Sequence, residues 1–87
     1  EYELFQNTPN PFSDYTEISF VLPINGHGTL KLFDVNGKLL KQIDQEFEDG
    51  LNKIQVAKKG LGISSGVVFY TLESGNFKAS KEMIVVE

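Results

Sequence analysis

The sequence predicts an all-β fold, an immunoglobulin-like antiparallel β-sandwich of about seven strands. Three observations predict it. Apolar and polar residues alternate with period two along much of the chain, most cleanly over Tyr15–Leu22. Turn signals recur at intervals of roughly 8–12 residues, the rhythm of a sandwich. The turns are tight and consecutive, which favours antiparallel pairing.

Each element follows in order. Over Tyr15–Leu22, Thr16, Ile18, Phe20 and Leu22 share one face, and Tyr15, Glu17, Ser19 and Val21 the other. Pro23 ends this strand, and Asn25-Gly26 offers a turn because both residues tolerate positive φ. Residues 29–34 form the next strand, with Leu30 and Leu32 inward. Asn36-Gly37, flanked by apolar residues, is a strong hairpin signal, and residues 38–44 return from it. Asp49-Gly50 marks another turn, after which Asn52, Ile54 and Val56 alternate. Residues 57–65 are the least regular and read as a bridging loop with a single helical turn at most. Residues 67–73 are β-branched and aromatic, which suits a central strand. Ser74-Gly75-Asn76 turns the chain again, and residues 77–86 close it with the densest apolar run, Met83-Ile84-Val85-Val86.

The length of 87 residues allows one domain, so residues 1–87 read as a single unit with 1–8 as its entrance or the end of a linker. The opening Glu1 suggests a piece cut from a longer protein, and no signal peptide opens the chain. With no Cys there is neither a disulfide staple nor a thiolate ligand. Eight Lys, no Arg and twelve acids give a net charge of −4, which argues against nucleic acid, where phosphates must be neutralised. No apolar run approaches the ~20 residues of a membrane helix.

The search for chemistry finds no catalytic, cofactor-binding or metal-ligating residues. His27, between Gly26 and Gly28, reads as a solvated turn residue with no acid or nucleophile at a usable spacing. Asp34 opens the Asp34-Val35-Asn36-Gly37 turn. It lacks the acid-dense loop that calcium needs, and is expected to accept backbone N–H bonds inside the turn. Glu46, Glu48 and Asp49 read as a solvated edge that discourages aggregation. Ser64-Ser65-Gly66 lacks the Gly-x-Ser-x-Gly elbow, and no glycine loop leads into a helix to cradle a phosphate.

Two segments exceed what the fold needs. In Leu4-Phe5-Gln6-Asn7-Thr8-Pro9-Asn10-Pro11-Phe12, two prolines flank Asn10 and restrict the local backbone, so that Phe5 and Phe12 can plug the end of the sandwich. The terminal strand is the other: chain ends usually fray, yet here they are the most apolar part. Such a strand is either central to its sheet or kept for a partner.

Taken in order, these pieces resemble the type A C-terminal sorting domain of the type IX secretion system of Bacteroidota. The resemblance rests on Asn10-Pro11-Phe12, then Thr16-Glu17-Ile18-Ser19-Phe20, then Leu30-Lys31-Leu32-Phe33-Asp34-Val35-Asn36-Gly37-Lys38. It continues through Gly50-Leu51-Asn52-Lys53-Ile54, Ser65-Gly66-Val67-Val68-Phe69-Tyr70 and Lys81-Glu82-Met83-Ile84-Val85-Val86. Val68 departs from it, since the family usually has Tyr there.

The resemblance implies a secretion signal without catalysis. The domain would direct an attached N-terminal passenger through the periplasm and across the outer membrane, by way of the type IX machinery, to the cell surface or medium. A sortase-like peptidase would typically remove it, cutting before Leu4. Lys81, Met83, Ile84, Val85 and Val86 would carry recognition, with pairing of the terminal strand to a receptor edge as the physical means. Asn10, Pro11, Phe12, Asp34, Gly37 and Gly66 would shape the scaffold. No cofactor, nucleic acid or small-molecule substrate is expected, and an exposed edge strand leaves a dimer open. The alternative is an immunoglobulin-like adhesion or spacer module retained on the mature surface protein. A small glycosidase-like enzyme would need two carboxylates across a cleft, for which a sandwich of this size has little room.

Overall fold

The structure is a computed structural model and describes residues 1–87. The strands are β1 (Glu3–Leu4), β2 (Tyr15–Leu22), β3 (Gly26–Phe33), β4 (Leu39–Phe47), β5 (Gly50–Ala57), β6 (Gly66–Ser74) and β7 (Phe77–Val85). A 3₁₀ turn, η1 (Lys58–Leu61), lies between β5 and β6. The strands form two antiparallel sheets, β1-β2-β5 and β4-β3-β6-β7, packed face to face as a seven-stranded sandwich.

Alternation decides which side chains are inside. In β2, Thr16, Ile18, Phe20 and Leu22 are buried, and Leu30 and Leu32 of β3 meet them from the other sheet. Val68, Tyr70 and Leu72 of β6 fill the middle, as expected of a strand flanked on both sides by neighbours. Fully burying an aliphatic or aromatic side chain of this kind stabilises by about 1.5–3 kcal/mol. Phe47 closes the core near Gly28, where a Cβ would stand only 2.9 Å from the Phe47 ring, so glycine is required there by close approach. Phe20 and Phe47 meet edge to face at 4.9 Å.

Two of the short connections are hairpins and two are not. Asn36-Gly37 joins β3 to β4, and Gly75-Asn76 joins β6 to β7. By contrast, the links between β2 and β3, and between β4 and β5, cross from one sheet to the other. The Asn25-Gly26 and Asp49-Gly50 signals therefore mark sheet changes. The β3 strand begins at Gly26, three residues before the expected start at Thr29, and β4 runs on to Phe47. Residues 57–65 contain the single 3₁₀ turn.

Of the two readings of the apolar chain end, the central position in the sheet is not the one the strand takes. β7 is a terminal strand of its sheet, not a central one. Its odd-numbered side chains Met83 and Val85 are core residues, which accounts for much of the apolar run.

Candidate functional site

The flank of the sandwich where β1 and β7 meet is built by the entrance segment. Leu4 is buried and paired with Phe20. Beyond it, Phe5 N–H donates to Ser19 C=O at 3.0 Å, and Thr8 exchanges two backbone bonds with Glu17 at 3.0 and 2.9 Å. The chain then crosses to the other sheet. Both bonds preceding Pro9 and Pro11 are cis. The Asn10 side-chain oxygen accepts from Ile84 N–H at 2.8 Å. Phe12 N–H donates to Ile84 C=O at 3.1 Å, and Val86 N–H donates to Phe12 C=O at 2.9 Å. Gln6 Nε2 reaches Glu82 C=O at 2.6 Å.

A polar knot secures this strap from beneath. The Tyr70 hydroxyl, fully buried, accepts from Asn7 N–H and donates to Phe5 C=O, both at 2.9 Å. Asn7 is itself buried and donates to Thr16 Oγ1 at 2.9 Å, while the Thr16 hydroxyl donates to Pro9 C=O at 2.8 Å. No buried side-chain polar atom is left without a partner. Burial raises the Tyr70 pKa, opposed by the bond from Asn7 N–H. Phe12 enters the core, whereas Phe5 stays half-buried outside it and contributes through its backbone.

This placement alters the expected availability of the terminal strand. Along β7, even-numbered residues point their backbone groups away from β6, and from Glu82 to Val86 the entrance takes them up. The edge expected to be free for pairing is occupied by the domain's own chain. Met83 and Val85 are buried, so of the five residues expected to carry recognition Lys81, Ile84 and Val86 keep their side chains at the surface. Lys58 Nζ adds a bond to Val86 C=O at 3.0 Å.

Ile84 stands within a larger apolar patch on the outer face of the four-stranded sheet. Phe33 lies opposite both Leu39 and Phe69, and Val67 lies opposite Ile84, all in the outward register. Leu39, Phe69, Ile84 and Val86 each keep between 39% and 45% of their surface exposed. The other half of the same face is polar, with Thr29 beside Asp44, Lys31 beside Gln42, and Glu73 3.6 Å from Lys78.

The remaining singled-out residues serve the scaffold. Asp34 Oδ1 accepts from Asn36 N–H and Lys38 N–H, both at 2.9 Å. Gly37 (φ 84°) and Gly66 (φ 129°) hold positive φ, which disfavours any side chain there. His27 differs from expectation. It lies on β3, and the register with β4 brings Glu46 to 3.2 Å of Nδ1 and Asp44 to 3.5 Å of Nε2. The two carboxylates address opposite ring nitrogens in solvent and do not converge on a common point. The Thr29 hydroxyl, then the Gln42 amide and His27, lower the Asp44 pKa. The patch register and the strap are the features that sequence reasoning missed. Asn7, Thr16 and Tyr70 carry no motif that announces their mutual contact.

A family described as Secretion system C-terminal sorting domain matches residues 8–86. No curated protein matches the chain. Among solved structures, dimeric latent PorU from Porphyromonas gingivalis aligns with a TM-score of 0.72 at 19% sequence identity. The alignment covers 98% of this chain and 9% of that one, so this chain spans about a tenth of its length and shares its fold locally.

Proposed function

This chain belongs to the secretion system C-terminal sorting domain family, and on that premise we propose that the type IX machinery reads its folded surface rather than a free tail. The domain is a C-terminal signal for type IX secretion, and such a signal sends its protein to the cell surface or beyond. Its family role is sorting, not catalysis.

One observation supports surface reading above all. Met83 and Val85 are in the core, and the backbone edge from Glu82 to Val86 is bonded to the entrance. A receptor that drew the tail out would have to unfold the sandwich. The apolar patch of Leu39, Phe33, Phe69, Val67 and Ile84 needs no such rearrangement, and an exposed apolar patch is a common mark of a protein contact. In this reading Ile84 and Val86 contact the receptor directly, Lys81 marks the adjacent edge, and Met83 and Val85 hold the strand in place. The attached passenger passes through the periplasm and outer membrane. A sortase-like peptidase then cuts in the neighbourhood of the segment before Leu4.

An export assay tests this. Residues 1–87 are fused behind a signal peptide and a fluorescent protein, in a bacterium with an intact type IX apparatus and in a secretion-deficient mutant. The double substitution Phe69→Ser and Ile84→Ser is expected to reduce export to the level of the deficient strain while the domain remains folded. Undiminished export of that folded variant sinks the surface reading. Failure of the unmodified fusion to leave the periplasm would favour the adhesion-module alternative instead.

A further inference from the structure

Asn-Gly occurs twice in the chain, at Asn25-Gly26 and at Asn36-Gly37. The dipeptide is chemically labile in water. Glycine leaves its own amide nitrogen unshielded, and that nitrogen can reach the side-chain carbonyl carbon of the preceding Asn. Folding treats the two steps differently.

At Asn25 both reacting groups are held. Its Oδ1 accepts from Asp49 N–H at 2.8 Å. Gly26 is the first residue of β3, in register with Phe47 of β4. Other Asn residues are held or blocked as well. Asn7 is buried, and its amide donates to Pro9 C=O and Thr16 Oγ1. Asn10 accepts from Ile84 N–H and precedes Pro11, which has no N–H to react. Asn52 donates to the carbonyls of Glu48 and Gly50. Asn76 is followed by Phe77, whose side chain crowds the nitrogen.

Asn36 differs from all of these. Asn36 and Gly37 are exposed and lie outside the strands. Asn36 is bonded by its backbone N–H, to Asp34 Oδ1 at 2.9 Å, and not by its side chain. Gly37 holds a φ of 84°, and nothing stands within 4 Å of the place a Cβ would take. The restraint on its nitrogen is one bond to Asp34 C=O at 3.0 Å. That bond and those from the Asn36 and Lys38 amides to Oδ1 all depend on Asp34. Solvent-exposed turn bonds of this kind open locally at a small fraction of the global unfolding free energy.

We propose that Asn36 is a site of spontaneous deamidation in the folded domain, with water as the only co-reactant. When the turn opens, the Gly37 amide nitrogen gives its proton to solvent and attacks Asn36 Cγ. The new N–Cγ bond closes a succinimide ring. The Cγ–Nδ2 bond breaks, and Nδ2 leaves as ammonia after taking a proton from water. Water then opens the ring at either carbonyl and leaves aspartate or isoaspartate, with no change of oxidation state. Either product sets a new carboxylate beside that of Asp34, and like charges at such range repel. Isoaspartate also lengthens the backbone by a methylene between residues 36 and 37, which moves the Lys38 N–H away from Asp34 Oδ1. The product loosens the β3–β4 hairpin next to Leu39, at the rim of the apolar patch.

The test incubates the whole 87-residue chain in mildly alkaline buffer, folded and in urea. Peptide mass spectrometry follows each Asn, and chromatography separates isoaspartate from aspartate. In urea, Asn25 and Asn36 should react at similar rates. In the folded chain Asn36 is expected to slow only about 10-fold, the effect of a small opening barrier, whereas Asn25 slows far more. Asp34→Ala removes two hydrogen bonds of the turn and should raise the folded rate at Asn36 toward its rate in urea. In the product, hydrogen exchange should accelerate at the Lys38 amide and stay unchanged at Leu30. The proposal is overturned if folding protects Asn36 as strongly as Asn25, if Asn52 or Asn76 reacts first, or if Asp34→Ala leaves Asn36 as slow as before.

Discussion

The Tyr70 hydroxyl serves two backbone groups at once, and both belong to a segment far away in sequence. Removing it leaves the Asn7 N–H and the Phe5 C=O without their partner, and an unsatisfied buried polar group costs about 1–3 kcal/mol. Tyr70→Phe is therefore expected to lower the urea-unfolding free energy by that amount, although the ring and its packing are retained. The same residue sets a pH limit. Its pKa is raised in the folded state by burial, so its contribution is complete below the ordinary tyrosine value and is lost as pH rises through the raised one. Alkaline unfolding should begin at a lower pH in the native protein than in Tyr70→Phe, measured relative to each protein's neutral stability. Asp44 works in the opposite sense. Its lowered pKa gives a contribution present above the ordinary carboxylate value and lost as pH falls through the lowered one.

At the scale of elements, the entrance and the terminal strand form one structural unit. Phe12 anchors the strap by its buried ring, and its backbone bonds to Ile84 and Val86. Truncating that ring removes the anchor, so Phe12→Ala is expected to cost about 3–5 kcal/mol. Hydrogen exchange should accelerate at the Ile84 and Val86 amides before it does at Leu30 or Leu72 in the middle of the sheet. Asn10→Ala removes only the side-chain acceptor of the Ile84 N–H, and should accelerate exchange at that amide with a much smaller loss of stability. Equal acceleration throughout the sheet would mean that the strap is not a separate unit.

For the whole molecule, the tail cannot be removed as though it were an appendage. Deleting residues 81–87 takes Met83 and Val85 from the core and uncovers the edge of β6 at Tyr70 and Val68. The truncated chain is expected to lose cooperative thermal unfolding. Failure of such a chain to be exported would then report a lost fold as much as a lost signal. A truncated chain that still unfolds in one sharp transition would show that the terminal strand is dispensable to the sandwich and free to act as a signal peptide of its own. Surface substitutions at Phe69 and Ile84 avoid this ambiguity because neither side chain belongs to the core.

The sequence by itself determined which side chains face inward along β2 and at Leu30 and Leu32 of β3, and the alternation along β5, because period-two alternation records burial residue by residue. It also determined the two hairpins, since Asn36-Gly37 and Ser74-Gly75-Asn76 encode their turns locally, and it carried the family's motifs in order. The tertiary structure alone decided which of the other short links cross between sheets. A two- or three-residue connection suits either route, and only the packing of distant strands selects one. The same holds for His27, whose carboxylate neighbours arrive through the register with β4, and for the apolar patch, which draws on four strands. The strap over β7 joins residues more than seventy positions apart. Local pattern fixes the face a residue shows to the core, but long-range pairing fixes what lies across from it.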